Sequence, residues 1–284
     1  MFKPIQLNNE IIDYGVKLIN PLQEWQITKG KGIKVAILDT GIDPNHADLK
    51  DNFVAGINFT TPDRNDFLDH VGHGTFCAGL IAGAANNIGI IGVAPECSIY
   101  AVKILDNHSQ GSVRQLIKGI EWCIDNKIDI INCSLGLTRD FTALHDIICL
   151  AYNAGIIICA AAGNNRFATD VEYPAKYPEV IAVGAIDSLK RIAKFNTTGK
   201  HAELIAPGVD ITSTYLYNKY AINSGTSFSC PLITGAIALI QSKTLITQNR
   251  KLNTAEIREF IYQHCEDLGL PGVDTIYARG LFHF

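Results

Sequence analysis

The 284-residue sequence is poor in methionine, with Met1 alone, and in tryptophan, with two. Charge is also sparse. Charged residues make up 18%, and 24 Lys and Arg against 28 Asp and Glu leave a net −4. That balance offers no basic footprint for nucleic acid or for an anionic membrane surface. No apolar run approaches the ~18 residues that span a bilayer. Residues 1–15 (MFKPIQLNNEIIDYG) lack the uninterrupted apolar stretch of a secretion signal. With Met1 as the start, these absences predict a cytoplasmic protein with no nucleic-acid or membrane partner. The eight cysteines form no Cys-x-x-Cys pair, which argues against a structural zinc site. Cys133, Cys149 and Cys159 sit inside apolar runs and read as small hydrophobes in a reducing compartment. No linker, repeat or low-complexity tract interrupts the chain, and at 47% hydrophobic it is a globular rather than a disordered sequence.

What is present is an alternation of two patterns. Ile33–Leu38, Ser98–Val102, Ile128–Cys133, Ile156–Ala161 and Val180–Ile186 are short, nearly continuous apolar runs. Such runs predict strands of a parallel sheet covered on both faces. Between them, Ser112–Asn126 opens with a capping box, Ser112 with Gln115, and 141–153 carries apolar residues at helical spacing up to Gly155. Thr254–Cys265 reads as an amphipathic surface helix. The alternation predicts an α/β fold, a three-layer doubly wound sandwich with a mainly parallel central sheet. Sites in such sheets form at the carboxyl ends of strands and at neighbouring helix N-termini.

Three polar blocks occupy such positions. In VAILDTGID, Asp39 ends a buried strand; in DHVGHGTFCAGLIAG, His73 opens a small-residue apolar run; in NSGTSFSCPLITGAIALI, Ser227 precedes a long helical pattern. Each block alone has a plain structural reading: a turn aspartate, a core histidine, an N-cap serine. Asp-Thr-Gly also carries the catalytic carboxylate of aspartic proteases. That chemistry needs a second carboxylate sharing a proton with the first, and no second Asp-Thr-Gly occurs.

Taken together, in the order Asp, His, Ser, the blocks resemble the subtilisin-like serine proteases, for which that order is known. The resemblance runs from about Tyr14 to the last helix and is nearest in character to the intracellular subtilisins. It implies a short N-terminal extension, residues 1–13, followed by a single peptidase domain, residues 14–284. It implies a serine endopeptidase with Asp39, His73 and Ser227 as its triad and Asn164, in ICAAAGNN, as an oxyanion donor. Ser134, Leu135 and Gly136 resemble one edge of the family's substrate groove, and Leu105 with Ser109–Gly111 the other. Glu172 falls where the family's P1 pocket closes, and a carboxylate there would favour Lys or Arg in the substrate. The loop GAANNIGIIGVAP matches a calcium loop. Asp48, Ala84, Asn86, Ile88 and Ile90 are its implied ligands, Glu10 or Asn9 offers another, and Ca²⁺ is the expected cofactor. A weaker cation site would lie near Ala175, Tyr177 and Val180, where His201 replaces an expected carboxylate. Partners would be protein or peptide substrates, and a homodimer is in keeping with intracellular members.

The sequence departs from the family pattern at several points. Phe76-Cys77 stands for the usual His-Val, and the thiol-bearing branch of the family likewise places a cysteine beneath the catalytic histidine. Phe228 stands for the methionine that commonly follows the nucleophile. Phe2–Leu7 has two readings: a segment that lies over the active site, with Pro4 hindering cleavage because it lacks an amide hydrogen, or a frayed terminus. The other reading of the fold is a catalytically silent peptide-binding pseudoprotease.

Overall fold

The computed structural model describes residues 2–284. In chain order the strands are β1 (Lys3–Ile5), β2 (Lys34–Asp39), β3 (Phe53–Asn58), β4 (Ser98–Lys103), β5 (Ile130–Cys133), β6 (Ile157–Ala161), β7 (Val180–Ile186), β8 (Leu204–Pro207), β9 (Ile211–Tyr215), β10 (Lys219–Asn223), β11 (Cys265–Glu266) and β12 (Leu281–Phe282). The helices are α1 (Tyr14–Ile19), α2 (His73–Ala82), α3 (Val113–Asp125), α4 (Thr142–Asn153), α5 (Thr226–Gln248) and α6 (Thr254–Gln263). Nine strands form one sheet in the order β11-β12-β8-β7-β6-β5-β2-β4-β3, parallel throughout except for β11 against β12.

Continuous apolar strands make sense because the sheet is buried on both sides. Along β2, Val35 and Ile37 enter one core and Ala36 and Leu38 the other; along β6, Ile157, Cys159 and Ala161 alternate with Ile158 and Ala160 in the same way. Helices α2 and α5 fill the first core, while α3 and α4 cover the second. Each fully buried Ile or Leu contributes roughly 1.5–3 kcal/mol of transfer free energy. The capping box of α3 forms as the sequence predicts: Gln115 N–H donates to Ser112 Oγ and Ser112 N–H to Gln115 Oε1.

Two expectations need correcting. Helix α5 is, by length and composition, long and apolar enough to cross a membrane, although the sequence reading found no such run. Its apolar stretch is 78% buried inside the protein, so it is the core helix on which the sheet packs. The N-terminal segment is not among the residues that line the groove described below. Instead β1 adds antiparallel to β10, with Pro4 opposite Ala221, as a third strand beside the β9–β10 hairpin. Pro4 has no amide to donate, which an edge strand tolerates. Phe2 packs its ring on Tyr215 (4.9 Å), Phe76 (5.3 Å) and Phe228 (6.1 Å), and this burial together with the strand pairing holds the segment there.

Candidate active site

Asp39 is the last residue of β2, at the carboxyl end of the sheet, and is completely buried. His73 is the first residue of α2, its side chain 21% exposed. Its Nδ1 lies 2.8 and 2.9 Å from the two carboxylate oxygens of Asp39. Gly74 makes this approach feasible: a Cβ there would sit 2.1 Å from the Gly41 carbonyl oxygen. Buried Asp69 holds the loop before the helix, accepting from the amides of Val71, Gly72 and Thr75 and from the hydroxyls of Thr40 and Thr75. Thr40 Oγ1 in turn accepts from Gly74 N–H. Burial alone would lower the His73 pKa. The charge of Asp39, its hydrogen bond and the charge of Asp69 outweigh that, and the imidazole is raised above its ordinary 6.5.

Ser227 is the second residue of α5, and its carbonyl has lost its helical partner because Pro231, four residues on, has no N–H. Ser134 Oγ fills the gap, donating to Ser227 O at 2.7 Å, and Cys77 Sγ lies 3.5 Å from the same oxygen. The Ser134 hydroxyl itself accepts from Asn132, which accepts from Thr234. This buried chain fixes the start of α5 against β5. The Ser227 hydroxyl donates to Ser134 O at 3.2 Å, not to His73. Two of the three side chains are therefore already joined, and rotation of Ser227 about χ1 is what the third link requires. Catalytic hydrogen bonds are commonly loose before substrate arrives. The Phe228 ring packs 5.5 Å from the imidazole, and Cys77 is fully buried with its thiol pushed well above its ordinary pKa by burial and then by Asp39. A protonated, enclosed thiol is an unreactive one.

Asn164 follows β6. Its Oδ1 accepts from the N–H and hydroxyl of Thr226, at 2.9 and 3.1 Å. That anchorage leaves Asn164 Nδ2 without an acceptor among the described residues, and the Ser227 N–H, one residue after Thr226, has none either. Beside His73 runs a groove of about 540 Å³, lined on one side by Leu105 and Ser109–Gly111 and on the other by Ser134, Leu135 and Gly136. The backbones of Leu135 and Gly136 make no hydrogen bond within the described residues, so they present the donors and acceptors of an unpaired strand. Glu172 lies behind them. A Cβ on Gly136 would fall 1.7 Å from Glu172 Oε2, and one on Gly163 would fall 2.8 Å from Glu172 Cδ. Its carboxylate has no ion pair or hydrogen bond among the described residues, and burial raises its pKa.

Residues 30–280 match the profile of the Subtilase family. The chain belongs to the subtilase family. Subtilisin of Bacillus pumilus is 43% identical over 276 residues, covering 96% of this chain and 97% of that protein. The Intracellular serine protease of Paenibacillus polymyxa is 39% identical over 276 residues, 95% of this chain and 84% of that protein. Minor extracellular protease Epr of Bacillus subtilis (strain 168) is 40% identical over 270 residues, but this chain spans only 40% of its length. The protein is a serine endopeptidase of the subtilisin type with a mostly parallel α/β sheet, as its sequence leads one to expect.

In this subtilase the loop after α2 folds onto Asp48. Ile90 N–H donates to Asp48 Oδ2, Asn86 Nδ2 lies 3.2 Å from Asp48 Oδ1, and Glu10 Oε1 accepts from the amides of Asn86 and Asn87. Of the two N-terminal alternatives, Glu10 hydrogen-bonds the loop, while Asn9 shares a cavity with Ile88 and Gly89. The carbonyls of Ala84, Ile88 and Ile90 accept no hydrogen bond among the described residues. Asp48 is fully buried, and its neighbour His46 is itself driven toward the neutral form by burial. A buried carboxylate without a countercharge, a second carboxylate and free carbonyl oxygens are hard donors that fit Ca²⁺. The weaker cation site is built differently. Arg258 Nη2 donates to Val180 O at 3.0 Å while its guanidinium grips Glu203 through Nε and Nη2. His201 pairs with Asp170, as does Lys176. Arg258 and Lys176 bring positive charge to that region.

Sequence reasoning missed Asp69, Ser134 Oγ as the partner of the Ser227 carbonyl, and Lys103. The Lys103 ammonium, almost wholly buried, donates to Thr40 O, Leu68 O and Asn107 Oδ1 and ties the Asp39 turn to the loop before His73. The polar run Asp69-His70 beside His73 was the available signal for the first of these.

Proposed function

We propose that Asp39, His73 and Ser227 form the catalytic triad of this serine endopeptidase, with Asn164 Nδ2 and the Ser227 N–H as its oxyanion donors. The observation that carries this reading is the fully buried Asp39 carboxylate bracketing His73 Nδ1. It fixes the tautomer in which Nε2 carries a lone pair. An extended peptide pairs with the free backbones of Leu135 and Gly136 and of the opposite edge. His73 takes the Ser227 proton as the hydroxyl attacks the scissile carbonyl; the oxyanion is held by the two donors; His73 then gives the proton to the leaving amine. Water repeats the sequence on the acyl-enzyme. A fluorophosphonate tests the assignment. It labels Ser227 in the wild type and not in Ser227→Ala, and an unlabelled wild type would leave the silent pseudoprotease reading.

Glu172 gives the site a preference for Lys or Arg at P1, because a cation entering the pocket neutralises a carboxylate that nothing else pairs. Glu172→Gln is expected to lower kcat/KM for basic P1 substrates about 10–100-fold, the ~1.5–3 kcal/mol of a charge-assisted hydrogen bond. Substrates with apolar P1 should be cut as before. Equal effects on both classes, measured with matched peptides, would place Glu172 outside the pocket.

Ca²⁺ is proposed as a structural cofactor held by Asp48, Glu10, Asn86 and the carbonyls of Ala84, Ile88 and Ile90. Bound there, it supplies positive charge to the buried carboxylates and locks the loop to residues before α1. In a Ser227→Ala background, which prevents autolysis, Ca²⁺ at about 100 times its Kd is expected to raise Tm by roughly 5 °C. Asp48→Asn should abolish the shift. The residues 14–284 form the peptidase unit in this reading. Its eight free thiols, six of them buried, favour a reducing, cytoplasmic setting.

A further inference from the structure

Far from the triad, α4 and the turn before β7 bring together a second group of ligating side chains. His145 and Cys149 are four residues apart on α4 and so share one helix face. Glu179 meets both: its Oε2 is 3.0 Å from His145 Nε2 and its Oε1 is 3.5 Å from Cys149 Sγ. All three ligand atoms lie within 4.8 Å of one another. We propose that His145, Cys149 and Glu179 bind a thiophilic divalent cation of the zinc class, with water as the fourth ligand.

The chemistry and the spacing agree. An imidazole, a thiolate and a carboxylate form a donor set suited to zinc and unsuited to Ca²⁺ or Mg²⁺. Tetrahedral bonds of ~2.0–2.3 Å place neighbouring ligand atoms roughly 3.3–3.7 Å apart. With one oxygen of Glu179 as the ligand, the three atoms lie within 4.8 Å of one another, so side-chain rotation has at most about 1 Å to close on any edge. The imidazole is already oriented: it stacks on the Tyr177 ring at 4.4 Å and 4°, and the Tyr177 hydroxyl donates to Asp140 Oδ1. The group is reachable, with the His145 side chain 38% and Glu179 19% exposed. On coordination Cys149 releases its thiol proton to solvent, and the cation replaces both that proton and the His145–Glu179 hydrogen bond as the link between α4 and the turn before β7. No Cys-x-x-Cys pattern announces such a site, because two ligands come from a helix and the third lies 30 residues after Cys149.

The other cluster of ligating groups, Asp39, His73 and Cys77, must be kept silent in the test. Full-length protein carrying Ser227→Ala and Cys77→Ala is titrated with Co²⁺, whose thiolate charge-transfer absorption reports a Co–S bond. The expected result is one Co²⁺ per chain with that absorption, displaced by Zn²⁺ and not by Ca²⁺. Adding Cys149→Ser should abolish the band, and His145→Ala or Glu179→Gln should weaken Zn²⁺ binding by more than the ~10–100-fold that loss of an outer-shell partner costs. All three positions are at the surface of the core, and circular dichroism verifies that each variant is folded. Absence of the band, or its survival in Cys149→Ser, overturns the proposal. Neither outcome bears on the triad, since Ser227 is already removed.

Discussion

Asn in place of Asp39 is expected to lower kcat by about 10⁴-fold, the size of effect that the same change produces in the chymotrypsin-type triad, while leaving KM almost untouched. The local hydrogen bonds explain why so small a change should be so damaging. Thr40 N–H donates to Asp39 Oδ1 at 2.7 Å. An asparagine would keep its carbonyl oxygen there to satisfy that buried amide. Its NH₂ would then take the place of Oδ2, 2.9 Å from His73 Nδ1. Nδ1 is bracketed by both positions, and Oδ1, at 2.8 Å, is then shared with Thr40 while the new NH₂ opposes an Nδ1–H; the tautomer with its proton on Nε2, which accepts from that NH₂ and has no lone pair for Ser227, is favoured. The pH profile gives an independent check. In the proposed role His73 accepts a proton only when neutral, and its pKa is raised above 6.5, so kcat/KM of the wild type should fall as pH drops through a value above 6.5. In Asp39→Asn the contributions of the carboxylate vanish and burial takes over, which moves the acid limb to lower pH. Stability responds with the opposite sign. A raised histidine pKa favours the folded, protonated form below 6.5, and that contribution disappears as pH rises through the raised value. Activity should therefore grow over the interval in which this part of the stability is lost. A wild-type acid limb below 6.5 would contradict the account.

The elements that could be read from the sequence are the ones whose physics is local or one-dimensional. β7 runs over Val180–Ile186 as its apolar composition predicts, and β2, β4, β5 and β6 differ from expectation by one or two residues at an end. A strand buried on both faces must be apolar at every position, and that leaves a visible run. The capping box of α3 is visible for the same reason, since both partners lie within four residues. β9 is the contrary case. Thr212, Ser213 and Thr214 are buried, yet they spell a polar loop. They can be buried because Ser213 and Thr214 donate to the carbonyls of Phe76 and Thr75 at the start of α2, more than 130 residues away. Nothing in the neighbouring sequence encodes that. The same limit applied to the N-terminal segment. Its strand pairing with β10 and the aromatic contacts of Phe2 depend on which long-range surface is free, and the sequence pattern alone left it between a cover over the active site and a frayed end. Within the site, the three polar blocks stood out because each directly follows an apolar run or opens one. Asp69, Lys103 and the hydroxyl of Ser134 did not, since their work is to hold backbone groups of distant loops.

Asn164 carries the other large expected effect. Asn164→Ala should reduce kcat about 10²–10³-fold, a magnitude whose source is subtilisin, a member of this same family, with KM little changed. A donor that meets the carbonyl oxygen only once it has become an oxyanion stabilises the transition state and not the bound substrate. The side chain has a second task that must be separated from the first. Its Oδ1 satisfies the N–H and hydroxyl of Thr226 at the beginning of α5, so alanine also uncaps that helix and costs about 1 kcal/mol of stability. Two further variants divide the roles. Thr226→Val removes the hydroxyl that donates to Asn164 Oδ1 and accepts from Gly163 N–H but leaves Nδ2 in place, and it should lower Tm with a far smaller loss of kcat. Asn164→Asp keeps an acceptor for Thr226 while replacing the donor with a second acceptor, so kcat should fall at least as far as in alanine although the helix stays capped. If Asn164→Asp retained wild-type kcat, the oxygen of the tetrahedral intermediate would have to be held elsewhere, and Asn164 would be a helix cap alone.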